Sequence, residues 1–522
     1  MQRAAPWPVR LGRLGFLCLG ALLLVLPAPL EIAVAGPEGI PGVFDVRSFG
    51  AKGDGATLDT EAINRAIAAA GAAGGGRVRF SAGTYLSVSI RLRSHVTLEL
   101  EPGATLEAAP HTVQAYDEPE PNPWDKYQDF GHSHWHNSLI WGEGVNDVAI
   151  LGSGVIHGKG LVRTNDAPPG AGNKAIGLKN SRNVTIRDVT IQHGGHFAIL
   201  ATGVDNLTID NLRIDTNRDG IDVDACRNVR ISNVSVNSPY DDAICLKSSY
   251  GLGVARATEN VTITNCHVSG YDEGTLLDGS YQRTASYRRG PTGRIKLGTE
   301  SNGGFKNVVV SNCVFDYSRG LAIESVDGGL TEDVAISNIT MRDIVNAPVF
   351  VRLGNRARGP NQPPVGRIRR LSISNLVASG VDSSHGILVS GIPGHPIEDL
   401  RLHQVRIAYK GGGTAADAAL EPPELETAYP EPDMFGRIPA YGLFARHVRG
   451  LEIDHSELSV EQSDARPAFW LEDVSGAAFF GVRAPRLAGV PAFVLRAVRD
   501  LYVHACPGLP DTRRDSIDRE SL

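Results

Sequence analysis

The sequence predicts an all-β molecule built as a parallel β-helix, on three observations. A segment running Asn183-Val-Thr-Ile returns at Asn206 and Asn228, after 23 and 22 residues, then at Asn260, Asn307 and Asp333, and more loosely at Arg370, Asp399 and Gly450. Repeats of this length mark a solenoid. Within each unit apolar residues alternate with period two and no helical period intervenes, so each coil should stack ~4.8 Å above the last. Glycine makes up 59 of 522 residues, about 11% against an ordinary ~7%, as a turn-rich chain requires.

Taken in order, the chain opens with Arg3, Arg10 and Arg13, an apolar run from Leu14 to Leu26, and Ala33-Val-Ala35. A basic start, a short apolar core and a small-residue cleavage site predict a secretory signal peptide over 1–35. The run is short for a membrane span, so export to the periplasm or medium is expected, with no membrane contact after cleavage. Removing 1–35 takes out three arginines and one glutamate and moves the formal charge from −7 to −9. An acidic body argues against nucleic acid as a partner. Five cysteines then remain. Cys266 and Cys313 fall at the same place in their repeats, which predicts buried core thiols without a disulfide framework. No cysteine or histidine spacing suggests zinc, and no cofactor is expected.

Residues 36–508 are expected to form the β-helix, with 44–108 as N-terminal cap and first coils. Asp59 or Thr60 is placed to cap a short helix whose Ala62, Ile63, Ala66 and Ile67 form its apolar stripe. The glycine-rich turn before it lacks the Lys-Ser/Thr of a phosphate-binding loop. Asn211, Asn233, Asn265, Asn312, Asn338 and Asn375 recur at one turn and predict a hydrogen-bonded ladder. Spacing breaks between Asn260 and Asn307, which predicts an inserted surface loop over 271–297. A second irregular loop covers 411–439, and the polar residues 509–522 are expected to be a disordered tail.

The repeat places His196, Asp219 and Asp242 at matching offsets, 13, 13 and 14 residues past Asn183, Asn206 and Asn228. They should form one column, with Asp241 beside Asp242. Stacked carboxylates raise one another's pKa, and glycosidic hydrolysis uses one protonated and one ionised carboxyl. His132, His134 and His136 alternate as strand residues would, with Trp135 as a stacking surface for a sugar.

These motifs resemble glycoside hydrolase family 28, the polygalacturonases and their relatives, over roughly residues 44–460. Phe44-Asp-Val-Arg-Ser-Phe-Gly-Ala-Lys-Gly-Asp-Gly55 resembles the family's N-terminal signature. Asn217-Arg-Asp219-Gly-Ile-Asp222 matches Asn-Thr-Asp-Gly-x-Asp with Arg218 for Thr, and Tyr240-Asp241-Asp242-Ala-Ile-Cys matches Gln-Asp-Asp-Cys. The resemblance implies a single-stranded right-handed β-helix, pectin lyase-like, acting as a monomer on a pectic oligo- or polysaccharide. It implies Asp241 as general acid, Asp219 and Asp242 activating water, inversion and no metal. Inversion predicts carboxyl groups ~6.5–9.5 Å apart. Asn217, Asp222, His196, Lys247, Arg294, Glu300, Arg319 and Glu324 are the expected sugar-binding residues.

Two departures stand out. The insertion and Thr292-Gly-Arg294 occupy the place of a Gly-His-Gly turn, and Ala322-Ile323-Glu324 occupies that of the Arg-Ile-Lys that holds a galacturonate carboxylate. Either the main sugar is not galacturonate, or Arg283, Arg288, Arg289, Arg294 or Lys296 meets its carboxylate. A uronate lyase or epimerase and a catalytically inactive carbohydrate-binding β-helix are the alternative readings.

Overall fold

The computed structural model describes residues 42–522 apart from 130, 164–167 and 285–289. The expected leader over 1–35 lies outside the described residues, as do Arg288 and Arg289.

The expected coils are present as three parallel ladders. One runs through Asn146–Leu151, Arg182–Arg187, Asp205–Asp210 and Arg227–Ser232; a second through Val155–His157, Thr190–Gln192, Arg213–Asp215 and Ser235–Asn237. The third carries Ser138–Glu143, Lys174–Lys179, Phe197–Thr202, Asp219–Asp224, Ile244–Ser248, Ile295–Ser301 and Leu321–Ser325. Inward residues such as Ile199, Ile221, Ile244 and Ile295 stack into one fully buried core. Because side chains alternate, the residues between them point out of the coil, and on this third ladder those are Asp222, Lys247 and Lys296.

Asparagines hold the turns in two ladders rather than one. The leading set runs Asn307, Asn260, Asn228, Asn206, Asn183, each amide donating to the one below at 2.8–3.1 Å. In the expected set, Asn375 bonds Asn338, Asn338 bonds Asn312 and Asn265 bonds Asn233, while Asn211 and Asn233 turn to Asp188 and Asp210. All adopt positive φ near +55°, a region asparagine tolerates better than most residues.

The helix forms over Thr60–Ala72 and buries Ala62, Ile63, Ala66 and Ile67. Asp59 makes no side-chain cap; its carboxylate instead accepts the Lys52 and Gly53 amides at 2.7 and 2.9 Å, tying the glycine-rich turn. Cys226, Cys245, Cys266, Cys313 and Cys506 are buried thiols.

The tail expectation is overturned. Thr512–Ser521 is a strand, antiparallel to Phe493–His504, with Ile517 buried opposite Val498. Its polar composition reflects a strand with only one covered face, whose last-coil partner otherwise lacks a neighbour. The inserted loop is also shorter than 271–297, since Ile295–Ser301 is already strand.

Candidate active site

Asp219 opens its strand directly after the turn at Asn217, and Asp242 ends the matching turn one coil on. Gly220 lets the two coils close: a Cβ there would lie 2.4 Å from Val236 Cγ1 and 2.5 Å from the Ala243 carbonyl. The Gly220 amide donates to the Asp242 carbonyl at 3.0 Å, and Tyr240 donates to the Asn217 carbonyl at 3.0 Å. Carboxylate oxygens of Asp219, Asp241 and Asp242 consequently lie within 4.8 Å of one another. These nearest oxygens are closer than the ~6.5–9.5 Å expected between carboxyl groups for inversion.

The column is corrected in one place. Phe197, not His196, is in register with Asp219. His196 falls one position earlier, in line with Arg218, since its strand begins at Phe197, one residue later than the asparagine count implies. It remains buried beside His132 and Phe197, and burial, with Arg218, His132 and Lys174 close by, holds its imidazole neutral far below the usual value.

The three carboxyls have unlike surroundings. Burial would raise Asp242, but Lys296 at 3.4 Å and the Arg294 Nε at 2.8 Å outweigh it and hold the carboxylate far below its ordinary range. Asp219 is buried and pushed well above that range, with the charges of Asp222 and Asp241 adding to burial. Asp241 is also raised by burial and by Asp242, against the Arg218 guanidinium that donates to it at 2.6 Å. Its side chain keeps 28% exposure, against 3% for Asp242. The cluster thus holds one firmly ionised carboxylate beside two that favour the proton.

A shell of buried ions surrounds it. Lys247 lies 3.7 Å from Asp222 and 3.3 Å from Glu300, and His132 lies 3.5 Å from Asp222. Arg356 reaches Glu300 at 3.6 Å. Glu324 contacts Lys296 at 3.5 Å and Thr299 at 3.3 Å; burial, outweighing the cations, raises its carboxyl to about 7. Arg294 and Arg319 converge on Glu431, with donations of 3.2 and 2.6 Å from Arg294 and 2.8 Å from Arg319.

All eleven expected site residues therefore fall in or beside one region, although Asn217 is placed there only by its backbone. The histidine expectation does not hold. Residues 132–137 form no strand, so His132 faces Asp222, His134 faces Asp125 and His136 pairs with Glu143. Trp135 is fully buried, with its Nε1 donating to Thr202, and offers no stacking face. Arg283 pairs with Asp343 and covers Tyr317, so Lys296 and Arg294 alone of the described replacement cations reach the carboxylates. Glu431 and Tyr429, whose hydroxyl meets Thr299, come from the 411–439 loop and were not expected. No periodicity assigns a loop residue to a coil, so only that loop's acidic composition hinted at them.

Two family models match, "Right handed beta helix region" over residues 136–285 and "Rhamnogalacturonase A/epimerase, pectate lyase-like" over 43–117. A probable polygalacturonase of Vitis vinifera is 27% identical over 386 residues, 69% of this chain and 73% of its own length. An exo-poly-alpha-D-galacturonosidase of Dickeya chrysanthemi is 26% identical, covering 60% of this chain, which spans only 57% of that relative. The structure of a Yersinia enterocolitica family 28 exopolygalacturonase superposes with a TM-score of 0.60 at 18% identity, over 84% of this chain and 78% of that one. The chain is a right-handed parallel β-helix resembling glycoside hydrolase family 28.

Proposed function

We propose that the protein is an exported glycoside hydrolase that cleaves a pectin-type polysaccharide by acid/base hydrolysis. The observation that carries this reading is the convergence of Asp219, Asp241 and Asp242 within 4.8 Å with opposed protonation. Asp241, the most open of the three, protonates the leaving oxygen. Asp242, held ionised by Lys296 and Arg294, takes the proton of the attacking water, and Asp219 is that water's second partner. The polygalacturonase relatives support the substrate class, and the leader-like composition of residues 1–35 supports export.

The reaction inverts. A spacing of ~5 Å belongs to two-carboxyl retaining sites, but a third carboxyl alters the geometry. Two hydrogen bonds of ~2.8 Å let one water join oxygens up to ~5.6 Å apart, so Asp219 and Asp242 hold a water that attacks the anomeric carbon from the face opposite the leaving oxygen protonated by Asp241.

Asp241→Asn should lower kcat on homogalacturonan or rhamnogalacturonan by about 10²–10⁴-fold, the usual worth of a general acid. Full activity on every pectic polymer would remove Asp241 from that role. Proton NMR of the first-formed sugar reads the anomer, and retention would overturn the water placement.

A further inference from the structure

We propose that Glu431 is an internal carboxylate that fills the anion subsite of the cleft and so selects an uncharged sugar ring beside Asp242. This rests on the hydrolase reading, and it adds the class of sugar accepted.

The Glu431 carboxylate accepts both ends of the Arg294 fork and one nitrogen of Arg319. That is the geometry in which an arginine pair receives a uronate carboxylate. The same Arg294 donates through Nε to Asp242, so the occupied subsite adjoins the carboxylate assigned to activate water. Glu431 keeps 23% side-chain exposure, close to the 28% of Asp241, whereas Arg294 keeps only 2%. The glutamate therefore stands between Arg294 and the open side of the site.

Charge balance points the same way. Arg294, Lys296 and Arg319 are matched by Asp242, Glu324 and Glu431, three cations to three carboxyls. Above about pH 7, where Glu324 is ionised, a sugar carboxylate would be a fourth anion in a buried setting, where an uncompensated charge is costly. With Glu431 neutralised, two carboxyls remain, and Glu324 keeps its proton up to about 7. A cationic vacancy then faces the cleft.

The chain holds Glu431 in place rather than leaving it on a free loop. Pro432 and Phe435 directly after it are buried, and Phe435 and Ile438 pack with Phe350, Leu388 and Ala322. Ala322 is the position where the resemblance has the clamp arginine, and its small side chain leaves the space this apolar cluster fills.

The test uses the full chain silenced by Asp241→Asn, alone and combined with Glu431→Gln or Glu431→Ala. Calorimetric titration compares digalacturonate with the same disaccharide reduced to neutral galactose rings. The uronate should bind at least about tenfold tighter once Glu431 is neutralised, roughly one charge-assisted hydrogen bond, while the neutral sugar changes little. Unchanged or weaker uronate binding in both folded variants overturns the proposal and leaves Glu431 a strut; two substitutions guard against a variant that misfolds. In the active chain, Glu431→Gln should raise the kcat/KM ratio of polygalacturonate to its carboxyl-reduced form, mainly through KM. If neither polymer is cleaved by any form, the hydrolase reading falls, and the binding comparison still decides Glu431.

Discussion

Asp241 feels opposing influences, and the balance between them sets its use. Burial and Asp242 favour the acid form, while Arg218, in the family's threonine position, favours the carboxylate. A general acid works only while protonated, so activity falls as pH rises through its pKa. Arg218 lowers that pKa; removing it must raise it. Arg218→Thr is therefore expected to move the basic limb of the kcat/KM profile upward by about one unit. A limb that stays fixed, or moves down, would separate Arg218 from the acid. Gly220 acts at the same scale by absence, since any side chain there would push apart the coils that bring Asp219 to Asp242.

Each coil is kept in register by its turns as much as by its strands. Asn228 donates to Asn206, accepts from Asn260 and sits at φ +57°. Alanine loses both bonds and pays the left-handed penalty; glycine loses only the bonds. Asn228→Ala should cost about 2 kcal/mol and Asn228→Gly about 1 kcal/mol, read from the denaturant midpoint. Equal costs would show that the backbone conformation is not what selects asparagine. The insertion is tied by a similar device. Asp215, a carboxylate near the site in sequence, accepts the Gly274, Leu276 and Leu277 amides and so anchors the loop rather than serving chemistry.

A solenoid has two open ends, and both must be covered. At one end the Thr60–Ala72 helix buries its apolar stripe in the core. At the other, Thr512–Ser521 pairs with the last coil. Ending the chain after Pro510 would leave Phe493–His504 as a bare edge. Such a truncation should lower the unfolding midpoint and self-associate in a concentration-dependent way, checked by light scattering. A monomer of unchanged stability would show that the edge is protected otherwise.

The sequence by itself determined the coils and the convergence of the carboxylate trio. Both follow from residues one repeat apart, and a parallel ladder carries that spacing directly into contact, as Asp219 and Asp242 show. A repeat count from turn asparagines lands one residue off at His196, because register is fixed by strand pairing, which matches Phe197 to Asp219. Only tertiary structure decided the surroundings of the trio. Glu431 lies 137 residues from Arg294 and 112 from Arg319, on a loop with no period to place it. The terminal strand is hidden for a related reason: its one buried apolar side chain, Ile517, has meaning only against the edge it covers. Periodicity specifies what stacks, while the folding of irregular segments over the coils specifies which charges the stacked carboxyls meet.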